Sequence, residues 1–342
     1  MHMNARNPAV WFPAIKTNTG TDQFTERLAQ GLQTRGIRCE ITWLPLSAEY
    51  APWTVKVPRP PAWANLVHVN SWLHSRFIPK TLPLIVTFHS CVHDPALEPY
   101  KSRLQRLYHR LWVKRLESRA ISRASAITAV SQYTANRATA VFRSQGITPI
   151  PNGVDTKVFS PNDSTTPHSP FRLIFVGSLS RRKGADLLPV IMRTLGDDFE
   201  LRYTGEVRSF EAHGDIPSNM IPLGRLNGSE ALVAAYRDCD ALLFPTRLEG
   251  FGLVAAEAMA CGLPVVTSNN TALPEVVIDK KTGFLCATDD VEEFVTAVRA
   301  LRDNPTVWET MRENCLRHAG ENLTEDNQVE KYLELYRSLL RH

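Results

Sequence analysis

Long apolar runs are missing from this chain. Over 342 residues no segment approaches the roughly 20 apolar residues that cross a bilayer. The opening MHMNARNPAVWFPAI has no apolar stretch of signal-sequence length, so the expectation is a cytoplasmic protein. Cysteine is sparse and scattered: six residues, Cys39, Cys91, Cys239, Cys261, Cys286 and Cys315, with no CxxC pair. That excludes a disulfide scaffold or a zinc ribbon and predicts reduced, mostly buried thiols. Neither GxxxxGK[ST] nor a GxGxxG after the first strand is present, which removes the nucleotide-hydrolysing P-loop and the dinucleotide fingerprint. No internal sequence repeat is found either.

What is present is the composition of a soluble globular protein, 43% apolar and 22% charged. The length exceeds one ordinary core and implies two domains. A net charge of +4 conceals an imbalance. Residues 1–160 carry 20 Lys and Arg against 8 Asp and Glu, whereas residues 161–342 carry 19 against 27. One half is therefore suited to an anionic surface and the other is not.

Strand-like apolar runs alternate with helical patterns throughout, the mark of parallel α/β architecture. The first unit is a strand at Ala9–Phe12, a polar turn from Lys16 to Asp22, and a helix to about Arg35. That helix has Phe24, Leu28 and Leu32 on one face, and Gly36 ends it. Further strands are expected at Cys39–Leu44, Leu66–Val69, Leu84–His89 and Ala126–Ser131, with a long helix near 99–123. Their apolar runs are continuous, as in a sheet covered on both faces. PNDSTTPHSP, residues 161–170, reads as a linker. The pattern restarts at Arg172–Val176, with strands near 200–204, 220–223, 241–244, 264–267 and 284–286, and an amphipathic helix from Asn327 to Leu340 closes the chain. The expected fold is α/β, two doubly wound Rossmann-like domains facing across a cleft. An N-terminal domain occupies 1–160, a linker 161–170 and a C-terminal domain 171–324, with a terminal helix over 325–342. Ligands of such sheets sit at the carboxyl ends of strands.

The stretch ALLFPTRLEGFGLVAAEAMACGLP, Ala241 to Pro264, is the most informative. A buried strand feeds a small-residue helix through the turn Thr246–Gly250, and Gly262 and Pro264 stop the helix. This arrangement aims the helix's free N–H groups and its positive end at whatever lies above the sheet, and anions are the natural occupants. Glu249 and Glu257 fall eight positions apart, one on the turn and one inside an apolar helix. A buried carboxylate needs a partner. Pairing with an arginine is one reading and ligand binding is the other.

A second turn, Gly177-Ser178-Leu179-Ser180-Arg181-Arg182-Lys183-Gly184, places three cations at another strand's carboxyl end. Arg grips phosphate oxygens with paired N–H bonds and Lys acts as a compact charge. A solvated basic turn is the alternative. His89 closes a strand in the first half, either as a structural hydrogen-bonder or as a participant. His89-x-Cys91-x-His93 lacks a fourth ligand, so no metal is expected. Lys101–Arg119 holds seven Lys and Arg and one acid, with Leu104, Leu107, Leu111 and Trp112 interleaved. It is either an amphipathic helix with its apolar face on the core or an interfacial helix on anionic lipid, and the charge of its half favours lipid. No recognised nucleic-acid module accompanies the charge.

Taken together, these pieces resemble the retaining glycosyltransferases of family 4, which have the GT-B fold, over nearly the whole length. Glu249-Gly250-Phe251-Gly252-Leu253 followed by Glu257 is similar to that family's E-x7-E motif, and Pro151-Asn152-Gly153-Val154-Asp155 to the segment before its linker. Thr87-Phe88-His89 resembles its strand-end histidine, and Gly177 with Lys183-Gly184 its phosphate-binding turn. The resemblance implies that Glu257 holds the ribose of a nucleoside diphosphate sugar. Glu249 would lie near the transferred sugar, with the N–H groups of Phe251, Gly252 and Leu253 on sugar and phosphate. Arg182 and Lys183 would neutralise the diphosphate without a metal or other cofactor, and His89 would touch the donor sugar. Gly20, with Thr19 and Thr21, would line the first loop near acceptor and phosphates, and Gly224-Arg225-Leu226 would contact the base. Two departures from the family are Ser178, where Arg is frequent, and the single Gly20, where two glycines are common.

The implied reaction transfers a hexose, from GDP-mannose or a UDP-sugar, to a hydroxyl with retained anomeric configuration. The acceptor would be lipid-linked or a glycan, in envelope or exopolysaccharide synthesis. The enzyme would then be peripheral on the anionic inner face of the cytoplasmic membrane, and the terminal helix would cross back to the N-terminal domain. Rival readings are a nucleotide-sugar epimerase or phosphorylase on the same architecture, and a non-catalytic two-lobed sugar-nucleotide-binding protein. The E-x7-E unit favours transfer over epimerisation.

Overall fold

The computed structural model describes residues 7–162, 166–206 and 216–341. Residues 1–6 of the opening segment and 163–165 of the linker stretch lie outside the described residues. The chain divides into two compact units, Met1–Asn152 with Glu325–His342, and Gly153–Thr324.

The first unit runs β1 (Ala9–Ile15), α1 (Gly20–Gln33), β2 (Arg38–Leu44), the short α2 (Ser47–Tyr50), β3 (Leu66–Asn70) and β4 (Leu84–Phe88). It continues with α3 (Arg103–Tyr108), α4 (Lys114–Arg123), β5 (Ala126–Ala129), α5 (Gln132–Phe142) and β6 (Ile147–Pro149). The strands form one parallel sheet in the order β2-β1-β3-β4-β5-β6. Side chains alternate across a strand, and that alternation builds two cores. Trp11, Val67, Val69, Val86 and Phe88 face one side with Ala120, Ala135 and Ala138. Val10, Phe12, Leu66 and Ile85 face the other, under Phe24, Leu28 and Leu32 of α1. All five residues of β4 are buried, so its unbroken apolar run reflects cover on both faces.

The long helix expected near 99–123 is divided. A 3-10 turn at Pro95–Tyr100 precedes α3, which Ser102 caps through a capping box with Gln105. A π-helical turn, His109–Val113, joins α3 to α4. The apolar face of α3 is not on the core: Leu104 is 80% exposed, and Leu107 and Leu111 are also exposed. Spacing alone defines an apolar face without saying what covers it.

The second unit carries β7 (Phe171–Phe175), α6 (Leu188–Leu195), β8 (Phe199–Thr204), β9 (Met220–Gly224), α7 (Gly228–Arg237) and β10 (Ala241–Phe244). After these come α8 (Leu253–Ala260), β11 (Val265–Ser268), α9 (Leu273–Val276), β12 (Gly283–Cys286), α10 (Val291–Asp303) and α11 (Pro305–Asn322). Its parallel sheet has the order β12-β11-β10-β7-β8-β9. The central strands β10 and β11 are buried at every position, whereas β8 alternates between buried and partly buried residues. Each sheet is thus Rossmann-like, with a switch in strand order beside its first strand. All six cysteines are free and buried.

The last helix, α12 (Glu325–Leu339), belongs to the first unit. Gly31 of α1 makes this packing close: a Cβ there would come 2.5 Å from Val329 Cγ2. Beneath the helix lies a buried polar network. His68 bonds Tyr336 Oη through Nδ1 and Thr87 Oγ1 through Nε2, both at 2.6 Å. Thr87 Oγ1 bonds Thr128 Oγ1 at 2.6 Å, and Tyr332 Oη lies 3.3 Å from both threonines. Burial holds His68 neutral, lowering its pKa from 6.5 to about 3.

This network makes the first unit sensitive to acid. A histidine whose folded pKa is depressed binds fewer protons folded than unfolded, so its stabilising contribution is complete above pH 6.5 and is lost as pH falls. The thermal midpoint should therefore decline from about pH 6.5 towards about pH 3, and His68→Gln should flatten that decline. An unchanged slope in a pH series of melting curves contradicts the assignment.

Candidate functional site

In the second unit two turns meet at the carboxyl ends of adjacent strands, β7 and β10. The turn after β7 runs from Gly177 to Gly184, with a 3-10 turn over Arg181–Lys183. Gly184 has φ +71°, and a Cβ on it would fall 1.9 Å from the carbonyl oxygen of Pro245. Only glycine lets this backbone lie against the end of β10. The approach is stitched by Arg247 N–H to Arg182 O (2.9 Å) and by Arg182 Nη1 to Leu248 O (3.0 Å).

That contact sets the central ion pair. Lys183 Nζ donates to Glu249 Oε1 at 2.6 Å, and Thr246 Oγ1 donates to the same oxygen at 2.9 Å. Both partners are largely shielded, with side chains 15% and 11% exposed. Lys183 Nζ also stands 5.2 Å from the centroid of Phe244. The Glu249 N–H donates to Thr271 Oγ1 at 3.1 Å, and Asn270 Nδ2 donates to Thr246 O at 3.1 Å, so the loop after β11 braces the turn.

The helix that follows supplies the positive end. Gly252 is the N-cap of α8 with φ +102°, and no side chain caps the helix. The helix's own bonding begins with the Ala255 and Ala256 N–H groups on Gly252 O, at 3.0 and 3.3 Å, so the N–H groups ahead of them form an anion-seeking end. The helix is apolar nearly all round and buried, as a central helix should be. Glu257, on α8, is buried too. It lies close enough to Tyr236 that burial first, and then the Glu257 charge, pushes that phenol well above its usual range. The sequence-selected residues Gly177, Lys183, Glu249, Gly250, Phe251, Gly252, Leu253 and Glu257 therefore fall on two neighbouring strand-turn units at the switch in strand order, where ligands of doubly wound sheets bind.

Other candidates are placed differently. Arg182 is turned onto the Leu248 carbonyl, and its own carbonyl accepts from Thr246 Oγ1 at 3.3 Å. Arg181 is exposed. Arg225 and Leu226 lie in the loop after β9, at the same sheet edge but with two strands between them and β10. Gly177 is tied to Thr204, whose hydroxyl accepts from its N–H (2.9 Å) and donates to its carbonyl (3.0 Å).

In the first unit, Thr19 holds the N-cap position of α1 without a side-chain capping bond, and Gly20 and Thr21 begin its first turn. The loop before it is held by Asp22, whose carboxylate accepts from Thr17 N–H at 2.9 Å, Thr17 Oγ1 at 2.8 Å and Asn18 N–H at 2.7 Å. Space around Gly20 is open. His89 bonds Asn70 Oδ1 through Nε2 at 2.7 Å and stands edge-on to Phe24, centroids 4.6 Å apart. With Oδ1 accepting, Nε2 carries the proton and Nδ1 remains an acceptor. Burial lowers the His89 pKa to about 4, so the ring is neutral at working pH. His93 turns away to Glu117 at 2.9 Å, and among the described residues no group of three or more His, Cys, Asp or Glu could hold a metal ion.

Sequence reasoning missed the residues that brace the site. Arg247 pairs with Asp186 through both terminal nitrogens, at 2.6 and 3.0 Å, and with Asp289 through Nε at 2.6 Å. Its position just past β10, with Asp186 just past Gly184, was the available signal.

Two parallel six-stranded Rossmann-like sheets of this kind define the GT-B fold. A solved sucrose-phosphate synthase from Thermosynechococcus elongatus superposes with a TM-score of 0.78 at 17% identity, covering 98% of this chain and 100% of that one. The Anabaena protein HepE, solved in complex with UDP and glucose, superposes at 0.71 and 17% identity, covering 97% and 100%. The sequence matches the family described as glycosyl transferases group 1 over residues 157–319 and glycosyltransferase family 4 over residues 62–158. The chain belongs to the group 1, family 4 glycosyltransferases. It is 29% identical to an uncharacterized 41.2 kDa protein in the cps region of Klebsiella pneumoniae, over 52% of this chain and 49% of the relative. It is 34% identical to a glycogen synthase of Mycobacterium tuberculosis, over 53% and 44%. The chain spans about half the length of these curated relatives. Among the described residues no helix is long and apolar enough to cross a membrane.

The ion pair carries a stability prediction. Lys183→Met leaves a shielded carboxylate without its cation and should cost about 3 kcal/mol in urea unfolding. Adding Glu249→Gln should recover most of that loss. A double variant as unstable as the sum of the two single variants would show the pair to be uncoupled.

Proposed function

We propose that this protein is a retaining hexosyltransferase that draws on a nucleoside diphosphate sugar. The observation that carries the reading is the Lys183–Glu249 pair at the switch point, beside the uncapped start of α8. A diphosphate placed there meets a cation and a helix N-terminus together. Lys183 would exchange Glu249 for a phosphate oxygen, and Glu249, still holding Thr246, would be released to accept a hydrogen bond from the sugar. Glu257 would accept from the ribose hydroxyls, and Arg225 and Leu226 would border the base. Arg182 supports the turn and adds positive charge.

In the transfer, the bond from the sugar's anomeric carbon to the diphosphate breaks and the oxygen keeps the electron pair. The acceptor oxygen bonds that carbon from the same face, and its proton passes to the departing phosphate. Lys183 and the α8 terminus stabilise the charge that develops on the leaving group, without reorganisation at the moment of reaction. By the family resemblance, His89 would serve the donor sugar, and Thr19, Gly20 and Thr21 the acceptor.

The HepE complex with UDP and glucose favours a UDP-sugar over GDP-mannose as donor. The cps-region relative favours an acceptor in envelope or exopolysaccharide assembly, and the positive charge of residues 1–160 favours a lipid-linked one at an anionic membrane face.

Release of nucleoside diphosphate from a sugar nucleotide tests the reading. Lys183→Ala should lower turnover by about 100-fold or more. Glu257→Ala should chiefly raise the donor KM, by about tenfold for one lost charge-assisted hydrogen-bonding group. Wild-type kinetics in both variants would remove the basis for the site.

A further inference from the structure

The surface that α3 leaves uncovered is larger than one helix. Leu104, Leu107 and Leu111 project from α3 and the π turn, with Leu104 80% exposed. Leu46, Tyr50 and Trp53, from α2 and the 3-10 turn Pro52–Thr54, are 50%, 56% and 65% exposed. The two segments are joined side by side. Tyr108 Oη donates to Glu49 Oε1 at 3.0 Å and Trp112 Nε1 donates to Glu49 O at 3.1 Å. The Tyr50 ring lies 5.7 Å from Tyr108, and the Trp53 ring 6.5 Å from Trp112. Tyr108 is one turn from Leu104 and from Leu111 along the helix, so the exposed leucines and the exposed aromatic residues adjoin. Isolated exposed apolar residues need no explanation, but adjoining large ones mark an interaction surface.

Charge identifies the occupant. Arg103, Arg110 and Lys114 are exposed on the same helical segment, and among the described residues none has a carboxylate within ion-pair distance. Glu98, the acid at the edge of this segment, is already paired with Lys101 at 2.5 Å and lies 3.9 Å from Arg106. Leucine and tryptophan flanked by unpaired Arg and Lys is the composition of a helix lying in a lipid interface. A second copy of the chain fits poorly, because a two-fold contact sets a patch against itself and would bring these cations together.

We infer that Leu46, Tyr50, Trp53, Leu104, Leu107 and Leu111 form a surface that docks on a bilayer carrying anionic lipid. The apolar side chains enter the boundary between headgroups and acyl chains, and Arg103, Arg110 and Lys114 meet the headgroup phosphates. The inference rests on the proposed lipid-linked acceptor only for its purpose, since bringing this face to a membrane brings the enzyme to such an acceptor.

Co-sedimentation of the full chain with vesicles tests it, comparing phosphatidylcholine alone with phosphatidylcholine plus phosphatidylglycerol. The wild-type protein should bind the mixed vesicles, leave pure phosphatidylcholine largely free, and lose binding as salt rises. Each basic side chain near an anionic surface strengthens binding about fivefold. Combined Arg103→Gln, Arg110→Gln and Lys114→Gln should therefore weaken binding about 100-fold. Combined Leu104→Ser, Leu107→Ser and Leu111→Ser should weaken it at least tenfold. All six side chains are exposed, so circular dichroism and the thermal midpoint should stay at wild-type values. Stabilisation by nucleoside diphosphate, measured on the same samples, is unaffected if the docking surface is separate from the donor site. Absence of binding to mixed vesicles, wild-type binding by either variant, or a dimer in light scattering that the leucine variant dissolves would each overturn the inference. None of those results touches the transferase reading, which fails separately if nucleotide stabilisation and turnover are absent.

Discussion

One close backbone contact organises the second unit: Gly184 lying against the carbonyl of Pro245. Because the turn after β7 rests directly on the end of β10, a lysine from one reaches a carboxylate from the other at 2.6 Å. Any side chain at position 184 would force the two turns apart and separate the pair. The pair is a resting state in which cation and carboxylate satisfy each other while shielded from water. A shielded charge without a partner is costly, so a ligand that takes Lys183 must bring its own negative charge. It must also offer Glu249 a donor in return. A diphosphate joined to a polyhydroxylated sugar, the substrate class we propose, would meet both requirements in one molecule.

The first unit answers a different constraint. Its sheet buries His68, Thr87 and Thr128 on one face, and polar groups there must find partners. Tyr332 and Tyr336 of the last helix provide them, so the chain's final segment is needed to complete the beginning of the fold. His89, one strand-end away, is held neutral by burial and oriented by Asn70. Rigid elements thus present the histidine while the loop ahead of α1, tied down by Asp22, leaves Gly20 open.

Much of this was legible in the residues. Continuous apolar runs such as Leu84–Phe88 announced strands covered on both faces, and the alternation of strands and helices gave two doubly wound sheets. Glu249 and Lys183 stood out because each follows a strand-like run and is followed directly by a glycine, which places it at the carboxyl edge of a sheet. Contacts between positions far apart in sequence were not legible. Arg247 and Asp186 could be placed at neighbouring strand ends, but nothing near Arg247 announces Asp289, and nothing near His68 announces Tyr336, because burial side by side is decided by the assembled fold. The helix at 103–123 shows the same limit. Its leucine spacing defined a face, and both core packing and solvent exposure satisfy that spacing. Exposure in the folded chain, with α2 joined alongside, is what decides between them.

Everything proposed for the second unit depends on the turns at Lys183 and Glu249 holding a nucleoside diphosphate. The most direct measurement is thermal stabilisation of the folded protein by UDP, GDP and ADP without added metal, in wild type and in Lys183→Ala. A ligand that binds only the folded state raises the midpoint according to its affinity. The expected result is a clear shift with UDP or GDP that Lys183→Ala abolishes. No shift with any of the three, or the same shift in the variant, would contradict it.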